Sequence, residues 1–382
     1  MLLNQLLEVA RAQLGESREL RRRARRRQQH TPLVLVPSIL GTRLVDSRGR
    51  GGWSTTRDLY GLPFSATTKE LHPAGLLEGF TVVPRLWSYD VYGGLVRYLV
   101  RVGGYVLGET LFVLGYDWRT GLIDAAAKLD ALVGEVSGRG AGQVDLLGVS
   151  SGGLVARYLL ASAPEGVGHA ANAPRGQAAR RVRRLICVGT PQRGTFSALD
   201  VLANGSRPAP LGRRFAGRQI AGQQTVWDLL PHPSERIFID DRGEILDASL
   251  YDPEVWLRLG IVSLPGAELA MRLAGARRFH ETLDLATPHA DTFVVGSSHL
   301  PTVVRAYVSG GRVRFPSCTP AAGDPHAPVL YAPGDGMTTE SSLRALPGLP
   351  KERMRWVSTK VHRSLPADPE VHRLLLESLL AD

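Results

Sequence analysis

The residues best placed to do chemistry are Gly148-Val149-Ser150-Ser151-Gly152, a serine with a glycine two positions away on each side. The pattern matters only where an apolar strand runs in and an apolar helix runs out, because the serine then occupies a strained strand-to-helix turn. Val144, Leu146 and Leu147 precede it, and Leu154, Val155, Tyr158 and Leu159 follow at helical spacing. Ser151 is the neighbouring hydroxyl, but its flank at −2 is Val149, whose side chain crowds such a turn. Ser150 is therefore read as a nucleophile.

A serine hydroxyl needs a base, and the base needs an orienting third group. For a nucleophile on this kind of turn, the chain order is serine, acid, histidine. His326, His362 and His372 all lie late enough. His372 falls inside the closing helix and is expected on the surface, and His326 precedes the best acid. His362 follows one strand and precedes the last helix, where a loop carries it over the carboxyl edge of a sheet. Asp335 ends the run PVLYAPG and is the preferred acid, with Asp324 and Asp291 as alternatives. An oxyanion requires two donors. The backbone N–H of Ser151 is one, and the loop Pro37-Ser38-Ile39-Leu40-Gly41 supplies the other, assigned to Ile39.

These residues need a sheet to position them, and the chain alternates apolar strands with helices from residue 31 onward. TPLVLVP, ETLFVLGYDWR, AGQVDLLGV and VRRLICVGTP read as strands separated by helical segments. That alternation predicts an α/β fold with a parallel sheet. It resumes with DTFVVGS (291–297), PVLYAPGDG (328–336) and MRWVSTKV (354–361), and closes in a helix over 368–380. Two stretches break it, at about 45–88 and 205–290. Both are loop-rich and carry large apolar residues, Trp53 in the first and Trp227 in the second, that a sheet cannot bury. They are expected to cap the catalytic face and line a pocket of acyl size.

Composition sets the bounds. The chain has 382 residues, 43% hydrophobic and 21% charged, a globular balance with no membrane-length apolar run. Two cysteines, Cys187 and Cys318, exclude a disulfide scaffold, and no Cys/His spacing suits zinc, so no cofactor is expected. The net charge of +10 is concentrated, because residues 1–30 hold eight arginines against three glutamates. The rest is only mildly basic, which argues against a nucleic-acid-binding core. Residues 1–30 thus read as an Arg-rich amphipathic extension preceding a catalytic domain over 31–382. The apolar helix comes before the arginine cluster, the reverse of a secretory signal. A cytoplasmic protein is expected. The extension is either a packing arm or, through residues 1–28, an attachment to an anionic membrane surface.

Taken in order, several segments resemble the lecithin:cholesterol acyltransferase family, which includes lysosomal phospholipase A2 and the phospholipid:diacylglycerol acyltransferases. LVLVPSILGTRL resembles its V-P-G-x-x-G segment, GYDWR (115–119) its Y-D-W-R, and LLGVSSGGLVARYLL its G-H-S-x-G-G elbow. VGTPQRGTFSAL, GDGMTTESSL and HRSLPADPEV resemble its G-T-P-x-x-G-S, acid-loop and histidine segments. The chain departs from the pattern at Val149, where histidine is usual, at Ser38, where glycine is usual, and at Thr338-Thr339, where Val-Pro is common. Trp53 matches a membrane-facing tryptophan without the flanking cysteines.

The resemblance implies an α/β-hydrolase fold, a triad of Ser150, Asp335 and His362, and acyl chemistry on an acyl ester or phospholipid. The acyl group would pass from serine to an alcohol-type acceptor or to water. A plain lipase, phospholipase A or esterase, and an acyl-transfer tailoring enzyme, are the alternatives within that chemistry. A catalytically silent binding scaffold is the alternative outside it. Tyr116 and Trp118 are candidates for a substrate channel with Trp53 and Trp227, or else pack beside the sheet.

Overall fold

The computed structural model describes residues 18–26, 31–53, 70–83, 87–161, 177–206, 214–285, 289, 291–358 and 360–381. Its centre is a six-stranded parallel sheet. The strands are β1 Leu33–Val36, β2 Leu111–Val113, β3 Val144–Val149, β4 Val182–Val188, β5 Thr292–Ser297 and β6 Met354–Val357. They lie in the order β6-β5-β4-β3-β1-β2. Every neighbouring pair is parallel.

Unbroken apolar runs such as Leu33–Val36 form the interior of this sheet because both of its faces are covered. Successive side chains point to opposite faces. Val34 and Val36 join one buried cluster with α2 (Leu122–Val136) and α3 (Ser151–Ala161). Leu33 and Leu35 join another with α1 (Gly93–Arg101) and the closing helix α5 (Pro369–Leu379). After β1 the chain turns outward to β2, then crosses back to β3 on β1's other side. That reversal opens a crevice beyond the carboxyl ends of β1 and β3, where open α/β sheets bind ligands.

The expected strand over 328–336 is not part of this sheet. Tyr331–Gly334 pairs antiparallel with Leu300–Val303 in a two-stranded ribbon, which delivers Asp335 from beside the sheet. Proline at 333 suits a ribbon strand rather than a central one, since it has no N–H to donate.

The described part of 205–290 packs on α3 and on the loops leaving β2 and β4. Its helix α4 (Gly266–Asp284) stacks Phe279 on Tyr158 of α3, with ring centroids 5.3 Å apart. Gln224 N–H donates to Arg119 O at 3.0 Å, and Thr195 N–H to Leu229 O at 2.9 Å. Trp227 and Trp256 are fully buried against each other. Phe279 thus sits in the seam between insertion and body, while the two tryptophans spend their N–H groups on Ala221 O and Leu250 O within the insertion.

Within the first excursion, Thr42–Val45 pairs with Gly51–Trp53 and His72–Leu76, and Gly79–Val83 with Trp87–Asp90. Residues 18–26 of the Arg-rich extension form a helix that buries Leu20 and Ala24 against the second cluster. Arg23 donates to Leu380 O at 3.1 Å, so this helix lies at the end of α5, by the amino edge of the sheet. Residues 1–17 and 27–30 lie outside the described part, and the membrane reading of the tail falls largely on them.

Candidate active site

Ser150 is the residue between β3 and α3, and its φ is +51°. The left-handed region costs a non-glycine residue roughly 1–2 kcal/mol. The turn survives because the backbones around it touch. A Cβ on Gly152 would stand 2.1 Å from Val36 O, and one on Gly148 would stand 2.4 Å from Gly153 Cα. Ser150 N–H donates to Val188 O at 2.7 Å, which fixes the turn to β4.

His362 opens the short helical turn His362–Ala367 after β6, and Asp368 caps α5 behind it by accepting from Glu370 N–H and Val371 N–H. Three residues far apart in sequence meet here. Ser150 Oγ lies 2.9 Å from His362 Nε2, and His362 Nδ1 lies 2.7 Å from Asp335 Oδ2. Asp335 is fully buried. Its Oδ1 accepts from Met337 N–H at 3.0 Å and Thr338 N–H at 2.7 Å, and its backbone carbonyl accepts from His362 N–H at 2.9 Å. A carboxylate facing Nδ1 can only accept, so Nδ1 carries the proton and Nε2 presents a lone pair to the Ser150 hydroxyl. Such an arrangement can take the serine's proton and stabilise the imidazolium that results.

The alternatives lie elsewhere. Asp291 sits before β5 at the opposite edge, paired with Arg184 and Arg353. The Asp324 carboxylate closes a local turn by accepting from His326 N–H, and the His326 ring packs on Tyr307. His372 corrects the surface expectation, being 5% exposed. Its Nε2–H donates to Pro366 O at 2.7 Å, which locks the His362 turn to α5, and burial lowers its pKa. Cys187 is buried within β4, where desolvation raises its thiol pKa, and Cys318 is exposed.

The four aromatic pocket candidates are corrected as a group, since each is 3% exposed or less. Trp118 donates to Thr42 O and meets Trp53 edge-on, while Trp53 donates to Leu40 O. Trp227 donates to Ala221 O inside the insertion. Tyr116 donates to Pro37 O at 2.8 Å. Between and beside Tyr116 and Trp118, Asp117 and Arg119 form an ion pair. Three of the four thus hold the exit of β1, where an amphipathic ring can bury its body and spend its polar tip on a backbone group. Sequence reasoning also missed Tyr92, which is fully buried and whose OH accepts from Ser38 N–H at 2.8 Å. Among the described residues no three His, Cys, Asp or Glu side chains are placed to hold a metal.

Solved structures share this architecture. A chain of the Tle4-Tli4 complex superposes with a TM-score of 0.61 at 12% identity, over 92% of this chain and 98% of that one. The chain has the α/β-hydrolase fold. Weaker matches to hydrolase structures include the mature lipase BlEst2 of Bacillus licheniformis, at 13% identity over 93% and 94% of the two chains with a TM-score of 0.38. Another is the Staphylococcus hyicus lipase, at 11% identity over 92% and 94%, with a TM-score of 0.41. Residues 80–246 match the family model of lecithin:cholesterol acyltransferase, in accord with the resemblance read from the sequence. That stretch holds the Tyr116–Arg119 segment and the elbow, while Asp335 and His362 lie beyond it. No curated protein matches the chain.

Proposed function

We propose that this protein is a serine-dependent acyl-ester enzyme, with Ser150 as nucleophile, His362 as general base and acid, and Asp335 as the group that orients the imidazole. The observation that carries the reading is the 2.9 Å contact of Ser150 Oγ with His362 Nε2, on a left-handed elbow, with a buried carboxylate behind the ring. The match to the acyltransferase family model supports the acyl-ester substrate class.

As Ser150 Oγ attacks the acyl carbonyl, its proton passes to His362 Nε2, and Asp335 stabilises the charge on the ring. Collapse of the tetrahedral intermediate expels the alcohol, which takes that proton and leaves acyl-Ser150. Water or a second alcohol then loses its proton to Nε2 and attacks the acyl-serine; collapse of that intermediate breaks the acyl–Oγ bond, returns the proton to Ser150 and releases the acid or the new ester. Both acceptors use the same intermediate, so an alcohol held beside His362 competes with water through its effective concentration, on the order of 10⁵ M for a well-oriented nucleophile.

The test is a fluorophosphonate probe with peptide mapping. One equivalent should attach to Ser150, and Ser150→Ala should remove both labelling and ester turnover. A Ser150→Ala protein with a tenth of the parent's turnover would end the reading. Product partition between free acid and acylated long-chain alcohols or sterols then separates hydrolase from transferase.

A further inference from the structure

The loop between β1 and the first excursion is a four-residue turn, closed by Gly41 N–H donating to Ser38 O at 2.9 Å. Leu40, its third residue, has φ +66°. A positive φ there defines a type II turn, which ordinarily takes glycine. Among the described residues only Leu40 and Ser150 combine a side chain with a positive φ, and the two lie on facing loops of the crevice. Strain of this kind persists only where surrounding structure over-determines it.

The backbone groups of the loop can be followed one by one. Pro37 O accepts from Tyr116 OH, and Ser38 N–H donates to Tyr92 OH. Ser38 O accepts from Gly41 N–H, and Gly41 O from Leu77 N–H. Ile39 N–H donates to Ser151 Oγ at 2.8 Å. Ile39 O accepts from Ser38 Oγ at 3.1 Å, and Leu40 O from Trp53 Nε1 at 2.8 Å. The Leu40 N–H alone has no acceptor among the described residues. It belongs to the same peptide plane as Ile39 O, so with that carbonyl held by Ser38 it points the other way.

Ile39, the donor expected from the sequence, is thus engaged. The side chain that engages it belongs to Ser151, which is fully buried and follows the nucleophile directly. Tyr116, also fully buried, holds the same loop at Pro37 O through its OH. Two buried hydroxyls thus grip the loop on either side of Ser38, Tyr116 at the Pro37 carbonyl and Ser151 at the Ile39 amide.

We propose that the oxyanion is held by the backbone N–H groups of Ser151 and Leu40, and that the Ser151 and Tyr116 hydroxyls are positioning groups that tie Ile39 inward so that the Leu40 amide faces the reacting carbonyl. This rests on the serine-enzyme reading above, and sharpens it to a donor.

Ser151→Ala keeps the Ser151 amide and frees the Ile39 amide, while Tyr116→Phe keeps the ring. Turnover of a soluble short-chain ester should fall about tenfold to a hundredfold in kcat for each variant, with KM within twofold. Affinity for a trifluoromethyl ketone, which forms the tetrahedral adduct, should fall in parallel. Fluorophosphonate should still label Ser150 stoichiometrically. A crystal structure of the phosphonylated parent should place the phosphoryl oxygen about 2.7–3.1 Å from Leu40 N and Ser151 N. An oxygen seated on Ile39 N, or an unchanged or raised kcat in Ser151→Ala, overturns the assignment. If the parent is not labelled at Ser150 at all, it is the underlying function that has failed.

Discussion

The two edges of the central sheet hold their neighbours by opposite means. At the carboxyl edge, neutral hydroxyls and backbone amides do most of the work: Tyr116, Tyr92, Ser38 and Ser151 grip one loop, and two amides grip Asp335. Both strained side-chain-bearing residues lie there. At the amino edge the grip is ionic. Arg184, 1% exposed, pairs with Asp291 and donates to Ser378 O, Leu379 O and Ala381 O at the end of α5. Helix C-terminal carbonyls left without partners are commonly met by such a cation. The difference teaches where strain is tolerated: the crevice edge gathers the strained backbone around the proposed nucleophile, and the far edge anchors the helix that backs it.

Two aspartates show the same contrast. Asp228 is buried beside neutral donors, accepting from Leu122 N–H and Gln224 Nε2, and its burial raises its pKa to about 6. For Asp291 burial pushes the same way, but Arg184 and Arg353 outweigh it and its pKa is lowered.

The largest effect that would test this division is at His362. His362→Ala should cut kcat by about 10⁴–10⁶. Its urea midpoint should stay near that of the parent, and a large shift would mean that the proposed triad also holds the fold together. Next, Arg184→Ala should cost about 2–4 kcal/mol in urea unfolding while leaving kcat/KM within twofold, Asp291 keeping Arg353 as partner. A loss of activity matching the loss of stability would erase the distinction between edges. The smallest effect concerns Asp228. A carboxyl raised in the folded state favours folding below the unfolded value, near 3.8, and that contribution disappears as pH rises through about 6. Asp228→Asn should flatten this part of the stability–pH curve, and a curve of unchanged slope would assign the dependence to other groups.

The elbow was legible because its determinants are local: three glycines, a strand before and a helix after. His362 was legible from its place between the last strand and the last helix. Asp335 could be picked out as the candidate acid, and lies 2.7 Å from His362 Nδ1, although its strand was misplaced, because an apolar run ending in Gly-Asp-Gly looks the same in a ribbon as in a sheet. What the sequence hid was partnership. Trp118 and Trp227 read as loop aromatics free to line a pocket, yet their N–H groups go to carbonyls distant or unremarked in sequence. His372 falls on a helix but turns inward because Pro366 O offers an acceptor. The engagement of Ile39 depends on a side chain 112 residues away, which no periodicity records.

The crowding around the elbow also limits how this site can diversify. A side chain at 148 or 152 would collide with backbone, and one at 153 would meet Thr190 Oγ1 at 2.0 Å. Position 150 carries the proposed nucleophile. Across these six residues, only 149 and 151 are open to substitution, and they carry Val149, packed into the α5-side core, and Ser151, turned toward the opposite loop. Lineages sharing this elbow therefore have two letters in which to write differences, one read by the fold and one by the crevice.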